Sequence, residues 1–101
     1  MIKERPLISY LVIGDYTAIE LKELLKRLYM YKDNCECVIV HDLECGDEIN
    51  KVLINIKKDT SGFFHIYSNK KIDYIHHVNF GKDLCMGKHI FVLGSKNRKE
   101  L

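Results

Sequence analysis

The sequence predicts an α/β domain built on an open, mainly parallel four-stranded sheet with helices on both faces. Three observations carry that prediction. Short apolar runs recur at residues 7–13, 36–41, 63–67 and 89–93, each of strand length, and the first is the continuous kind that marks a strand buried on both faces. Between them stand three segments whose apolar residues recur at helical intervals. The two kinds alternate with no long linker and no internal repeat, and strand–helix–strand units of this sort close by right-handed crossovers into a parallel sheet.

The first strand is LISYLVI, entered from the single proline, Pro6, and ended by Gly14-Asp15. Thr17 and Glu20 then have capping-box spacing. Ala18, Leu21, Leu25 and Leu28, with Leu24 and Tyr31 alongside, predict a helix of about four turns. ECVIVH is the second strand. It runs into Asp42-Leu43-Glu44 and a Cys45-Gly46-Asp47 turn, after which Ile49, Val52, Leu53 and Ile56 mark the second helix. FFHIY follows the Ser61-Gly62 turn as the third strand. A polar loop, SNKK, leads to a third helix with Ile75, Val78 and Cys85 as its stripe and Gly87 at its end. HIFVL closes the pattern as a fourth buried strand.

A chain of 101 residues fits one domain, residues 1–101, with a small core and no room for a deep two-lobed cleft. The net charge is +2, with acids and bases interspersed, so no strong field favours nucleic acid or an anionic membrane. The basic cluster Lys96-Asn97-Arg98-Lys99 reads as a solvated end. No apolar run reaches the roughly 18 residues of a membrane span, and the first residues lack the apolar core of a signal peptide; a cytoplasmic location is expected. Cys35, Cys37, Cys45 and Cys85 lack CxxC spacing and sit in or beside apolar segments, as reduced thiols do. With His41, His65, His76, His77 and His89 they have no common zinc-ligand spacing, so no metal is expected.

In open parallel sheets ligands bind beyond the carboxyl ends of the strands, near the point where strand order reverses. Topology therefore selects Gly14, Asp15 and Tyr16 after the first strand, Asp42 and Glu44 after the second, Tyr67 to Asn69 after the third, and Gly94 to Asn97 after the fourth. Each has a plain structural alternative: a turn at Asp15, a half-buried aromatic at Tyr16, a cap for the second helix at Asp42. His76 and His77 titrate in the right range for acid–base work, but no nucleophile or orienting acid is tied to them by spacing. Asn79 and Gly81 read as helix-packing residues.

With this register, PLISYLVIGDY and ECVIVHDLECGD resemble the opening of the family 2 glycosyltransferases, the GT-A fold: a proline, a buried strand, a tyrosine-containing turn, a long helix, and a strand entering an Asp-Asp-Gly-Ser type loop. IYSNKKIDYIHHVNFGKDLCMGKHIFVLGSKN occupies the place of the loop, helix and strand that in the family carry Ala-Arg-Asn-x-Gly and end in Asp-x-Asp, with Asn79-Phe80-Gly81 matching Asn-x-Gly. The resemblance extends from Pro6 to about Asn97, the nucleotide-sugar-binding half. It implies strand order 3-2-1-4.

The resemblance also implies a nucleotide-diphosphate sugar as partner and Asp15, Tyr16, Asp42, Glu44 and Lys96 as nucleotide-binding residues. Departures fall on the chemistry. His41 stands in place of the first acid of the Asp-Asp pair, Val78 replaces the arginine, and Gly94 and Lys96 replace both acids of Asp-x-Asp. A divalent ion needs oxygen ligands; Gly94 has none and Lys96 is itself a cation, so no divalent metal is expected. The family's acceptor-binding half and catalytic base lie beyond the matched region, so sugar transfer by this chain alone is not expected. The alternative is a non-catalytic interaction module. Apolar strands with three helices to cover them, and apolar surface at Tyr29, Met30 and Tyr31, imply a homo-oligomer or a partner protein.

Overall fold

The computed structural model describes residues 5–14, 16–42, 46–59, 61–70 and 74–94. Along them run β1 (Ile8–Ile13), α1 (Ala18–Tyr29), β2 (Cys35–Asp42), α2 (Asp47–Lys57), β3 (Phe64–Asn69), α3 (Tyr74–Leu84) and β4 (His89–Gly94). The strands form one sheet in the order β3-β2-β1-β4, and every pairing is parallel, with Tyr10 level with both Cys37 and Phe91. The alternating pattern and the expected order are both present.

Local chemistry explains the best-defined element. Thr17 Oγ1 accepts from Glu20 N–H at 3.1 Å, and Glu20 Oε1 accepts from Thr17 N–H at 3.0 Å. The capping box is therefore complete, and a cap of this kind contributes about 1 kcal/mol. Lys26 and Arg27 in the last turn complement the helix dipole. The helix stops after 12 residues at Tyr29, shorter than the four turns expected, and Tyr31 lies beyond it, 65% exposed.

Side chains alternate across the sheet, so each face receives its own core. On one face Val12, Cys37 and Ile39 pack with Leu21, Leu25 and Leu28 of α1 and Leu53 of α2. On the other, Leu11, Ile13, Val38 and Val40 pack with Val78 of α3. Gly81 lets α3 approach: a Cβ there would lie 2.5 Å from Leu11 Cδ1. Two helices on one face and one on the other leave the edges thinly covered. The reading of residues 89–93 as a fully buried strand is corrected accordingly. His89, Ile90 and Phe91 are exposed, because β4 is an edge strand whose first residues extend past the helices on both faces. Ile75 of α3, expected in the apolar stripe, is 58% exposed, so it lies off the face that the helix turns to the sheet.

The amino-terminal end of the sheet is closed by a polar cluster. Glu36, 6% exposed, accepts from the Ser9 hydroxyl and, at 2.6 Å, from Met86 N–H. Ser9 Oγ in turn accepts from Gly87 N–H at 2.8 Å. Arg5 donates to the carbonyls of Met86 and Gly87 at 3.0 and 3.2 Å. The N–H groups of Met86 and Gly87, in the turn after α3, are thus satisfied by β2 and β1, and their carbonyls by Arg5. This cluster fixes the turn that delivers β4 to its place beside β1.

Candidate functional site: the carboxyl rim of the sheet

Strand order reverses between β1 and β4, since the chain moves outward from β1 to β3 and then returns to the far side of β1. A crevice outside the carboxyl ends of these two strands is where open parallel sheets take ligands. Gly14, with φ of 120°, ends β1 in a conformation that favours glycine. It turns the chain so that Tyr16, half-buried, crosses the reversal point. The Tyr16 hydroxyl donates to the Leu93 carbonyl at 2.7 Å, tying the turn after β1 to the last residues of β4. Its ring packs against the core under α1.

Asp42 is the last residue of β2. Its Oδ1 lies 2.8 Å from His77 Nε2, on the first part of α3. The His77 side chain is 8% exposed and that of Asp42 28%, so the carboxylate keeps a solvent-facing side while the ring does not. His77 Nδ1 is buried and has no hydrogen-bond partner. A proton on Nε2, donated to the carboxylate, leaves Nδ1 as a bare lone pair, which is less costly to bury than an N–H. His41 Nδ1 approaches the Asp42 carbonyl at 2.9 Å.

This geometry revises two readings. Asp42 does not cap α2: that helix has Gly46 at its N-cap and no side-chain cap bond. His77 does have an orienting acid, Asp42, 35 residues away in the chain, a separation that no spacing rule detects. Because the ring is enclosed, the pair fastens α3 to β2 and does not present an acid–base group to the rim. His76, its neighbour, is exposed. The signal that was available was topological, since the end of β2 and the start of the helix after β3 share one rim.

Of the candidate nucleotide-binding residues, Tyr16 and Asp42 are brought to the same rim, on opposite faces of the sheet. Asp15, Glu44 and Lys96 lie outside the described residues. Gly94 ends β4 opposite Ile13 and is buried. Among the described residues no group of three His, Cys, Asp or Glu side chains is placed to hold a metal ion, and Cys35, Cys37 and Cys85 are free thiols. Burial raises the Cys85 thiol to about 11, with the nearby Glu36 charge adding to the effect and a Ser9 hydrogen bond opposing it. Cys37 is raised further, again chiefly by burial. Neither has the lowered pKa of a reactive cysteine. No helix among the described residues is long and apolar enough to cross a membrane. No protein-family profile, curated protein or solved structure matches the chain.

Proposed function

We propose that this domain is a nucleotide-binding module of the family 2 glycosyltransferase type, which takes a nucleotide-diphosphate sugar at the carboxyl rim and does not transfer the sugar by itself. The observation that supports it is the Tyr16–Leu93 bond across the point of strand reversal, with Asp42 at the same rim. In this reading Asp15 and Tyr16 line the base pocket, and Asp42 and Glu44 accept from ribose or base. Lys96 meets the diphosphate as a point charge in place of a metal. Calorimetry with uridine diphosphate tests it. Weak binding is expected, equal with chelator and with manganese, falling as salt rises and lost in Lys96→Ala. No heat in either condition overturns it.

A second reading rests on a different observation. Met86, Ile90 and Phe91 are 64%, 37% and 54% exposed on or beside β4, which pairs with β1 alone among the described residues. Exposed apolar side chains on an edge strand are the ordinary mark of a protein-interaction surface. In this reading the chain is a non-catalytic module that pairs with a second copy or another protein.

A further inference from the structure

Between α1 and α2, on the face of the sheet away from α3, lies a groove of about 540 Å³, within the range of about 300–1,000 Å³ usual for small-molecule sites. Leu25, Tyr29, Val52, Ile56 and Phe64 line it as apolar groups. Leu25 is 1% exposed and the other four are half-buried. The exposed residues on its lips are of one predominant sign: Lys22 and Lys26 from α1, Lys51 from α2. None of the three makes an ion pair with a described residue.

The groove also has a direction. α1 and α2 each connect one parallel strand to the next, so the two helices run the same way. Lys22 and Lys51 therefore stand toward one end, with Lys26 a turn below Lys22. Tyr29 and Phe64, stacked with centroids 5.8 Å apart, stand toward the other. The one acid, Asp59, is at that far end, and its carboxylate is occupied by Ser61 N–H at 3.2 Å and the Ser61 hydroxyl at 2.5 Å. Lys32, the cation at that end, lies over the Tyr29 ring with its Nζ 4.5 Å from the centroid, so Lys22, Lys26 and Lys51 above an apolar floor describe a site for one anionic head and one apolar tail.

We infer that this groove binds a free long-chain carboxylate. Its head lies among Lys22, Lys26 and Lys51, and its chain runs over Leu25, Val52 and Ile56 to the Tyr29–Phe64 stack. An ammonium group contacts a carboxylate as a point charge without demanding a fixed plane, which suits a mobile head. The source is a free amphiphile and not a membrane lipid, because the chain lies along a groove whose walls also carry the exposed polar side chains of Asn55 and Asp59. None of the residues that line the groove is among the candidate nucleotide-binding residues, so the inference stands or falls independently of nucleotide binding.

Titration with dodecanoate, followed by calorimetry and by backbone amide NMR, tests it. Saturable binding is expected, with the largest shifts at Lys22, Leu25, Val52, Ile56 and Phe64. Lys22→Glu/Lys51→Glu, both at exposed sites, lowers affinity at least tenfold while the urea midpoint stays near that of the wild type. Asn55→Trp, an exposed position on the groove wall, blocks binding by filling the space. Equal affinity for dodecyltrimethylammonium, unchanged affinity in the charge-reversed variant, or shifts confined to other surfaces overturns the inference. So does an acidic amphipathic helical peptide, or anionic phosphatidylglycerol vesicles, binding at this site when dodecanoate does not.

Discussion

His77 Nε2 stands 2.8 Å from Asp42 Oδ1, and this contact joins the third helix to the carboxyl end of the second strand. It is a polar tie between α3 and the sheet at the rim, and the ring that makes it is almost wholly enclosed. Asp42→Ala leaves a second buried nitrogen of His77 unpartnered and is expected to cost about 1–3 kcal/mol. Asp42→Asn keeps an acceptor and is expected to cost less. A double-mutant cycle with His77→Phe, read by urea denaturation, should give a coupling of about 0.5–3 kcal/mol; additive effects would show that the two residues do not stabilise the fold as a pair.

Glu36 at the other end of the sheet is expected to be more sensitive. Its carboxylate accepts from both Ser9 and Met86, so Glu36→Ala orphans two donors in one place. A loss of roughly 2–4 kcal/mol follows from the usual desolvation penalties. Glu36→Gln, which retains one carbonyl oxygen, should lie between this variant and the wild type in urea midpoint.

Two glycines separate a side-chain clash from a backbone clash. Gly81→Ala gains about 1 kcal/mol of helix propensity but drives a Cβ toward Leu11 Cδ1, a core overpacking that costs about 1–3 kcal/mol; a modest net destabilisation is expected. At Gly87 the added Cβ meets Ser9 N at 2.6 Å and Ile8 C at 2.9 Å. Backbone cannot rotate away as a leucine can, so Gly87→Ala should lower the thermal midpoint more than Gly81→Ala. The reverse order would mean that the turn before β4 has slack.

The buried thiols set a pH dependence with a definite sign. Burial raises Cys85 from 9.0 to about 11, so the unfolded chain loses its thiol proton at lower pH than the folded one. The contribution of this group is fully present below about pH 9 and is lost as pH rises through about 11. Stability measured by urea at successive pH values should therefore fall less steeply over that window in Cys85→Ala than in the wild type. Alkylation of native Cys85 by iodoacetamide should stay slow at pH 8 and accelerate toward pH 11.

Phe91 provides a test of association. It is 54% exposed on edge strand β4, stacked on Tyr10 at 6.4 Å. If the interaction reading holds through a second copy, light scattering should show mass rising with concentration, and Phe91→Glu should return the monomer. A monomer mass over a wide concentration range removes the homo-oligomer.

The sequence by itself determined the element order, the parallel sheet and the start of α1, because each is written within a short window: apolar runs for β1 and β2, Thr17 and Glu20 three residues apart for the cap. Gly81 was legible as a packing residue from its place on a helix. Tertiary structure alone decided which strands lie at the edge. HIFVL and LISYLVI read alike as apolar runs, yet β1 is flanked on both sides and β4 on one, so Phe91 meets solvent where Leu11 does not. It also decided the polar partners. Asp42 finds His77 across 35 residues, Glu36 finds Met86 across 50, and Ser9 finds Gly87 across 78. The groove between α1 and α2 belongs to the same class. Its lysines and aromatic floor come from three elements that are separate in the chain, and they become one surface only when parallel strand pairing sets the two helices side by side.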